Sequence, residues 1–183
     1  MEVIFERLSA HFIEGMMIHD QFANYYDFLG FRGYKRCHEY HFLSETMSYR
    51  KLNRYYINHH GKLIPEMEVD DPNVIPGSWI RYKREDVDTS TKRNAVETAI
   101  KRWVSWEKET KSMLEEGIKS LCEAGKMADA MFLKKFLKSV DCELKYAERK
   151  MIELQDVNYD IGFIMQEQEC IHDKYIKKMG KLL

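Results

Sequence analysis

Apolar residues recur at intervals of three and four along most of the chain, the spacing that lays one side of an α-helix against a core. The clearest stripe reads Val96, Ile100, Trp103, Glu107, Thr110, Leu114, Ile118 and Leu121, and a second reads Leu133, Phe136, Val140, Glu143, Ala147, Met151 and Leu154. Nearer the N-terminus, Ile4, Leu8, His11, Glu14, Ile18, Phe22 and Tyr25 form one series, and His38, His41, Glu45, Tyr49, Leu52 and Tyr56 form another. All three prolines fall between Pro65 and Pro76, so proline excludes helix only there. Glycines at 30, 33, 61, 77, 125, 162 and 180 separate the periodic segments. The pattern predicts five helices, over about 1–29, 34–60, 92–124, 126–154 and 160–179, and an all-α fold.

The connection from about 62 to 91 is longer than a compact domain normally tolerates without a reason. An antiparallel four-helix bundle supplies one when its second and third helices run parallel and the chain must cross the bundle length. A helix of about 27 residues is roughly 40 Å long, within reach of an extended segment of this size. The expected architecture is pair, long crossover between helices 2 and 3, pair, then a short C-terminal fifth helix at one end. One domain would span 1–183, with no internal repeat.

Composition narrows the class. The 183 residues are 44% apolar, enough for a substantial core, and 29 Lys and Arg against 30 Asp and Glu leave a net charge of −1. No overall basic field favours nucleic acid, and Lys134, Lys135 and Lys138, with Lys177, Lys178 and Lys181, read as solvated helix faces. Glu2 and Glu6 argue against a signal peptide, and no apolar run approaches the roughly 18 residues of a membrane span. Cys37, Cys122, Cys142 and Cys170 are scattered without a CxxC pair, which points to free thiols and a cytoplasmic setting.

The chemistry lies where acids interrupt apolar faces. Glu107 and Glu143 each break a stripe in mid-helix, and an unpaired carboxylate there costs several kcal/mol or takes up a proton. Glu14 and Glu45 lie near the middle of the first two helices, and His38, His41 and Glu45 share one face. One inward carboxylate from each of four helices is the plan of a dinuclear carboxylate site that holds iron or manganese. Glu14, Glu45, Glu107 and Glu143 are therefore the candidate metal ligands. The competing reading has these acids solvated or neutralised by tyrosines such as Tyr49 and Tyr146, in a bundle that serves as a structural or interaction module.

Three segments resemble the non-haem ferritins. Trp106-Glu107-Lys108 followed by Leu114-Glu115-Glu116-Gly117-Ile118 is similar to their third helix. Residues Ala130 to Lys138 resemble the opening of their fourth, and Tyr56 to Pro65 the end of their second helix and the start of the long loop. The resemblance implies a ferroxidase centre in which Glu107 is the third-helix ligand, Glu143 a fourth-helix acid, and Glu14 lies one residue from the first-helix ligand. Where the family has Glu-Glu-x-x-His, this chain has Glu45-Thr46-Met47-Ser48-Tyr49, and a further fourth-helix ligand falls near Val140. The implied centre is thus partly degenerate, with His41 or Glu45 as the available substitutes.

By the same resemblance the chain would bind iron, oxidise ferrous iron with oxygen, and store the product in a homo-oligomeric cage. No haem is expected, since Met16 and Met17 read as core residues. Aromatics from Tyr25 to Tyr34 suggest a subunit contact. A weaker resemblance, to DNA-protecting mini-ferritins, would instead use His11 or His19 at a subunit interface. The run Trp79-Ile80-Arg81-Tyr82-Lys83 reads either as an edge of added structure or as a partner-binding element.

Overall fold

The computed structural model describes residues 2–65, 68, 69, 72, 74 and 83–180. Among the described residues five helices follow in order: α1 (Glu2–Leu29), α2 (Arg32–His60), α3 (Thr89–Glu123), α4 (Met127–Asp156) and α5 (Ile161–Met179), with a 3₁₀ turn at Arg84–Asp86. No strand occurs among the described residues. Helix α3 begins three residues earlier than its apolar pattern because Asp88 caps it, its Oδ1 accepting the Thr91 amide at 2.7 Å. Of the Trp79–Lys83 run, only Lys83 is among the described residues.

The crossover is tied to both ends of α1. Near its start Lys62 Nζ meets Glu2 Oε1 at 3.2 Å, and Ile64 is buried beside the first turns of α1. Near its end the Arg84 guanidinium donates to the Phe28 carbonyl at 2.8 Å and also to the Asp27 carbonyl, holding the last turn of α1. The connection therefore spans the length of α1 and starts α3 parallel to α2.

The interior is divided in two. One core gathers Phe5, Leu8, Phe12, Leu52, Leu114, Leu133 and Phe136; the other gathers Phe22, Tyr26, Val96, Ile100, Trp103, Ala147 and Leu154. Between them lies a polar layer of buried side chains from α1, α2 and α3: His11, His19, His38, His41, Glu45, Glu107 and Thr110.

Helix α5 lies against the first part of α2 and closes that side of the layer. Tyr34 Oη donates to Glu167 Oε2 at 2.9 Å, the Lys150 ammonium is shared between Glu153 and Glu167, and Tyr175 is fully buried beside Tyr40. The approach is closest at Gly33, where an added Cβ would stand 2.1 Å from the backbone oxygen of Gln168. Backbone cannot yield as a side chain can, so Gly33→Ala is expected to lever α5 off α2. It should cost at least the roughly 1–3 kcal/mol of ordinary overpacking and raise hydrogen exchange across 161–179 before the rest of the bundle. Unchanged protection in α5 would show that this contact does not hold the helix.

Candidate metal centre

The polar layer is built from one face of each contributing helix. On α1, Leu8, Phe12, Gly15, His19, Phe22 and Tyr26 succeed one another inward at spacings of three and four. On α2 the inward residues are His38, His41 and Glu45, and on α3 they are Trp103, Trp106, Glu107 and Thr110. Glu143 enters from α4, its side chain 21% exposed. Helix α5 adds Tyr175, whose ring centroid is 5.9 Å from that of His41.

His19, His41 and Glu107 each place one potential ligand atom within 4.8 Å of the others, in full burial. A cation about 2.1 Å from each donor needs them roughly 3–3.5 Å apart, so the side chains must close in by about 1 Å to complete the set. Several buried atoms here have no hydrogen-bond partner: His19 Nε2, both ring nitrogens of His41, Glu45 Oε2 and Glu107 Oε2. Buried polar atoms are nearly always partnered, and a cluster of exceptions calls for a bound ion or water. The donor set therefore fits a divalent cation.

Second contacts hold these groups in place. His19 Nδ1 and His38 Nδ1 are 2.9 Å apart, so one ring nitrogen donates to the other. With the proton on His19 Nδ1, the His19 Nε2 lone pair is left free for a metal, and His38 acts as the orienting partner that ligand histidines require. Trp103 Nε1–H donates to Glu107 Oε1 at 3.0 Å and leaves Oε2 free. The Thr110 hydroxyl donates to the Trp106 carbonyl at 2.8 Å and so accepts from His11 Nε2 at 2.7 Å, which lays the His11 ring flat on Trp106, centroids 4.7 Å apart.

Electrostatics distribute protons over this layer in a definite way. Burial pushes the Glu107 carboxyl up to about 8, with the Glu143 charge adding to the shift. Burial, Glu143 and Glu107 together drive Glu45 well above the carboxylate range. Burial and neighbouring imidazoles press His19 and His38 well below the usual histidine value. For His41 burial opposes the charge, but Cys37 and Glu143 outweigh it and raise the group to about 10. His41 Nδ1 lies 3.8 Å from Glu143 Oε2, an ion pair too long for a hydrogen bond. Without a metal the layer thus holds neutral acids, neutral His19 and His38, and one His41–Glu143 pair.

The four acids expected as ligands divide unequally. Glu45, Glu107 and Glu143 converge on the layer. Glu14 lies at the edge of the layer: its side chain is 31% exposed, with Oε2 3.7 Å from His11 and Oε1 3.2 Å from Arg102, and these partners hold its carboxyl below the usual range. The neighbouring inward position is Gly15, where a Cβ would meet the Trp106 indole at 2.4 Å and Glu45 Cγ at 3.2 Å. Trp106 thus fills the room that a first-helix ligand would use. On α2, the Thr46 hydroxyl bonds Met16 Sδ at 3.1 Å, and Tyr49 is only half-buried, packed against the core away from the histidines. The sequence offers His19 only as an interface ligand and leaves open whether His38 or His41 ligates. The signal is the spacing of His19 from Gly15, Phe22 and Tyr26 on one face of α1.

A ferritin-like helical bundle is the class that this fold defines. Three solved structures share it: a closed form of the Archaeoglobus fulgidus ferritin engineered by site-directed mutagenesis (TM-score 0.76, 15% identity, 93% of each chain), the open-pore ferritin of the same hyperthermophilic archaeon (TM-score 0.76, 15% identity, 92% of each chain), and a humanized archaeal ferritin (TM-score 0.77, 13% identity, 93% of this chain and 94% of that one). No protein-family model and no curated protein matches the sequence. Among the described residues no helix is long and apolar enough to cross a membrane.

Proposed function

We propose that this protein binds one divalent transition-metal ion, iron foremost, in the polar layer of its bundle, with His19, His41 and Glu107 as ligands and Glu45 and Glu143 as adjacent acids. The observation that carries the reading is the convergence of buried donor atoms without partners from three helices. Two imidazoles and one carboxylate leave coordination positions open, as in non-haem iron(II) sites. Ferrous iron is then substrate and cargo, oxygen its oxidant, and the nearby carboxylates favour the ferric product by their charge. Glu107 and His41 must surrender protons as the ion enters. His38 and Trp103 hold His19 and Glu107 in the geometry that receives it. A homo-oligomeric cage is the setting we propose, on the likeness of the fold to ferritins. A second reading, a metal-free interaction module, is favoured by the His41–Glu143 pair, which already compensates one buried charge.

Anaerobic titration of chelator-treated protein with ferrous iron, followed by exposure to air, separates the two. The metal reading expects about one ion per chain and a slow rise of ferric absorbance. His41→Gln should weaken binding by at least the roughly hundredfold that even second contacts can cost. Glu14→Gln should change it less than about twofold, since Glu14 is engaged by His11 and Arg102 and is not among the converging donors. No binding by the wild type, or equal loss in both variants, would favour the module. Light scattering tests the cage, which a clean monomer would remove.

A further inference from the structure

Past Tyr40, α2 runs beside α4 with an open groove of about 510 Å³ between them. Its floor is aromatic. The rings of Tyr55 and Phe132 stack with centroids 3.7 Å apart and planes within 6°, and the His59 ring lies 4.2 Å from that of Tyr55. The floor is also fixed, because the Tyr55 hydroxyl donates to buried Asp129 at 2.9 Å and His60 meets the same carboxyl oxygen at 3.0 Å.

Above the floor stand Lys51, Arg54 and Lys135. All three are exposed, and none has a carboxylate within 4.0 Å among the described residues. No acidic side chain lines the groove, and its remaining polar lining consists of serine hydroxyls and the Asn58 amide. A chain whose overall charge is −1 thus brings three unpartnered cations and neutral donors together over half-buried aromatic rings. The volume lies within the usual range for small-molecule sites.

We propose that this groove binds a planar heteroaromatic anion of the mononucleotide class. The ring system would lie on the outer face of Phe132, because Tyr55 is already covered by Phe132 on one face and His59 on the other, and stacking needs only a flat π-face. The phosphate would be held among Lys51, Arg54 and Lys135, with Arg54 offering the forked donor geometry suited to phosphate oxygens. A nucleic-acid polymer is disfavoured because three cations in one groove are too few to follow a backbone of regularly spaced phosphates. The proposal uses none of the metal-layer residues and stands apart from the iron reading.

The test is calorimetric titration of the full chain with AMP, adenosine, inorganic phosphate and a ten-nucleotide single strand at fixed salt. AMP should bind at least about tenfold more tightly than adenosine or phosphate alone, because only AMP engages both floor and cations. The double variant Lys51→Gln with Lys135→Gln, both exposed and therefore tolerant of change, should lose at least tenfold in AMP affinity and keep its circular dichroism. A Phe132→Leu variant should weaken AMP and adenosine but not phosphate. Absence of AMP binding, equal affinity in the double variant, or AMP no tighter than phosphate would overturn the proposal. Tenfold tighter binding of the oligonucleotide would also overturn it and assign the groove to a nucleic-acid strand.

Discussion

Cobalt(II) or anaerobic ferrous iron at a hundredfold excess over its dissociation constant is expected to raise the melting temperature of the chelator-treated protein by roughly 5–10 °C. An ion that binds only the folded state contributes about 2.7 kcal/mol at that excess, and each kcal/mol is worth about 2–4 °C for a chain of this size. The Glu107→Gln variant should show little or none of this rise. In the metal-free state the change is mild, because Glu107, pushed up to about 8, is already largely a neutral acid near pH 7, and an amide of the same shape can keep the Trp103 hydrogen bond. The comparison therefore isolates the ligand role from packing. An equal rise in the variant would remove Glu107 from the ligand set, and no rise in the wild type would give first place to the metal-free module.

Raising the pH should destabilise the metal-free protein, by several degrees between pH 7 and 9. Glu107, Glu45 and His41 all bind their protons more tightly folded than unfolded. The stability that each contributes is fully present below its unfolded pKa and is lost as pH rises through its folded one. For Glu107 that window runs from about 4.5 to about 8, and for His41 from about 6.5 to about 10. Glu45 begins at the same lower limit as Glu107. Within its window a single such group changes stability by at most about 1.4 kcal/mol per pH unit. His19 and His38 act in the opposite sense, since their stability is present above about 6.5 and lost as pH falls below it. Between about pH 4.5 and 6.5 the two acids and these two histidines nearly cancel, so metal-free stability should be roughly level there and fall above pH 6.5, a profile that calorimetry with chelator present can trace. A melting temperature that holds or climbs from pH 7 to 9 would mean that these buried groups are not protonated.

The helices were legible because proline is confined to one segment and because α3 and α4 each present a single apolar stripe. Glu107 stood out for the same reason: a carboxylate amid Trp103, Thr110 and Leu114 has no solvent to face. Helix α1 gave no such guidance. Its apolar residues pack against α2, the crossover and α3, so several registers satisfy the periodicity, and the one through His11 and Glu14 looked as good as the one through Gly15 and His19. The contribution of Trp106 was hidden as well, since it depends on Gly15 from a helix some ninety residues away in sequence. Ligand geometry on α2 was half visible, as His41 and Glu45 share a face, while His38 gains its meaning only from the His19 ring against it.

The fit of Trp106 over Gly15 also constrains how this sequence can change. Any residue larger than glycine at position 15 collides with the indole, and shrinking the indole first opens a void in the bundle that costs about 3–5 kcal/mol. The two positions are therefore interlocked across helices, and each single step away from the present pair passes through a poorly folding intermediate. Neutral drift can vary the surface of this bundle freely while the pair stays fixed. Among diverged copies of this chain, a side chain at position 15 should appear only with a small residue at 106, an exchange that two separate single substitutions would rarely survive to complete.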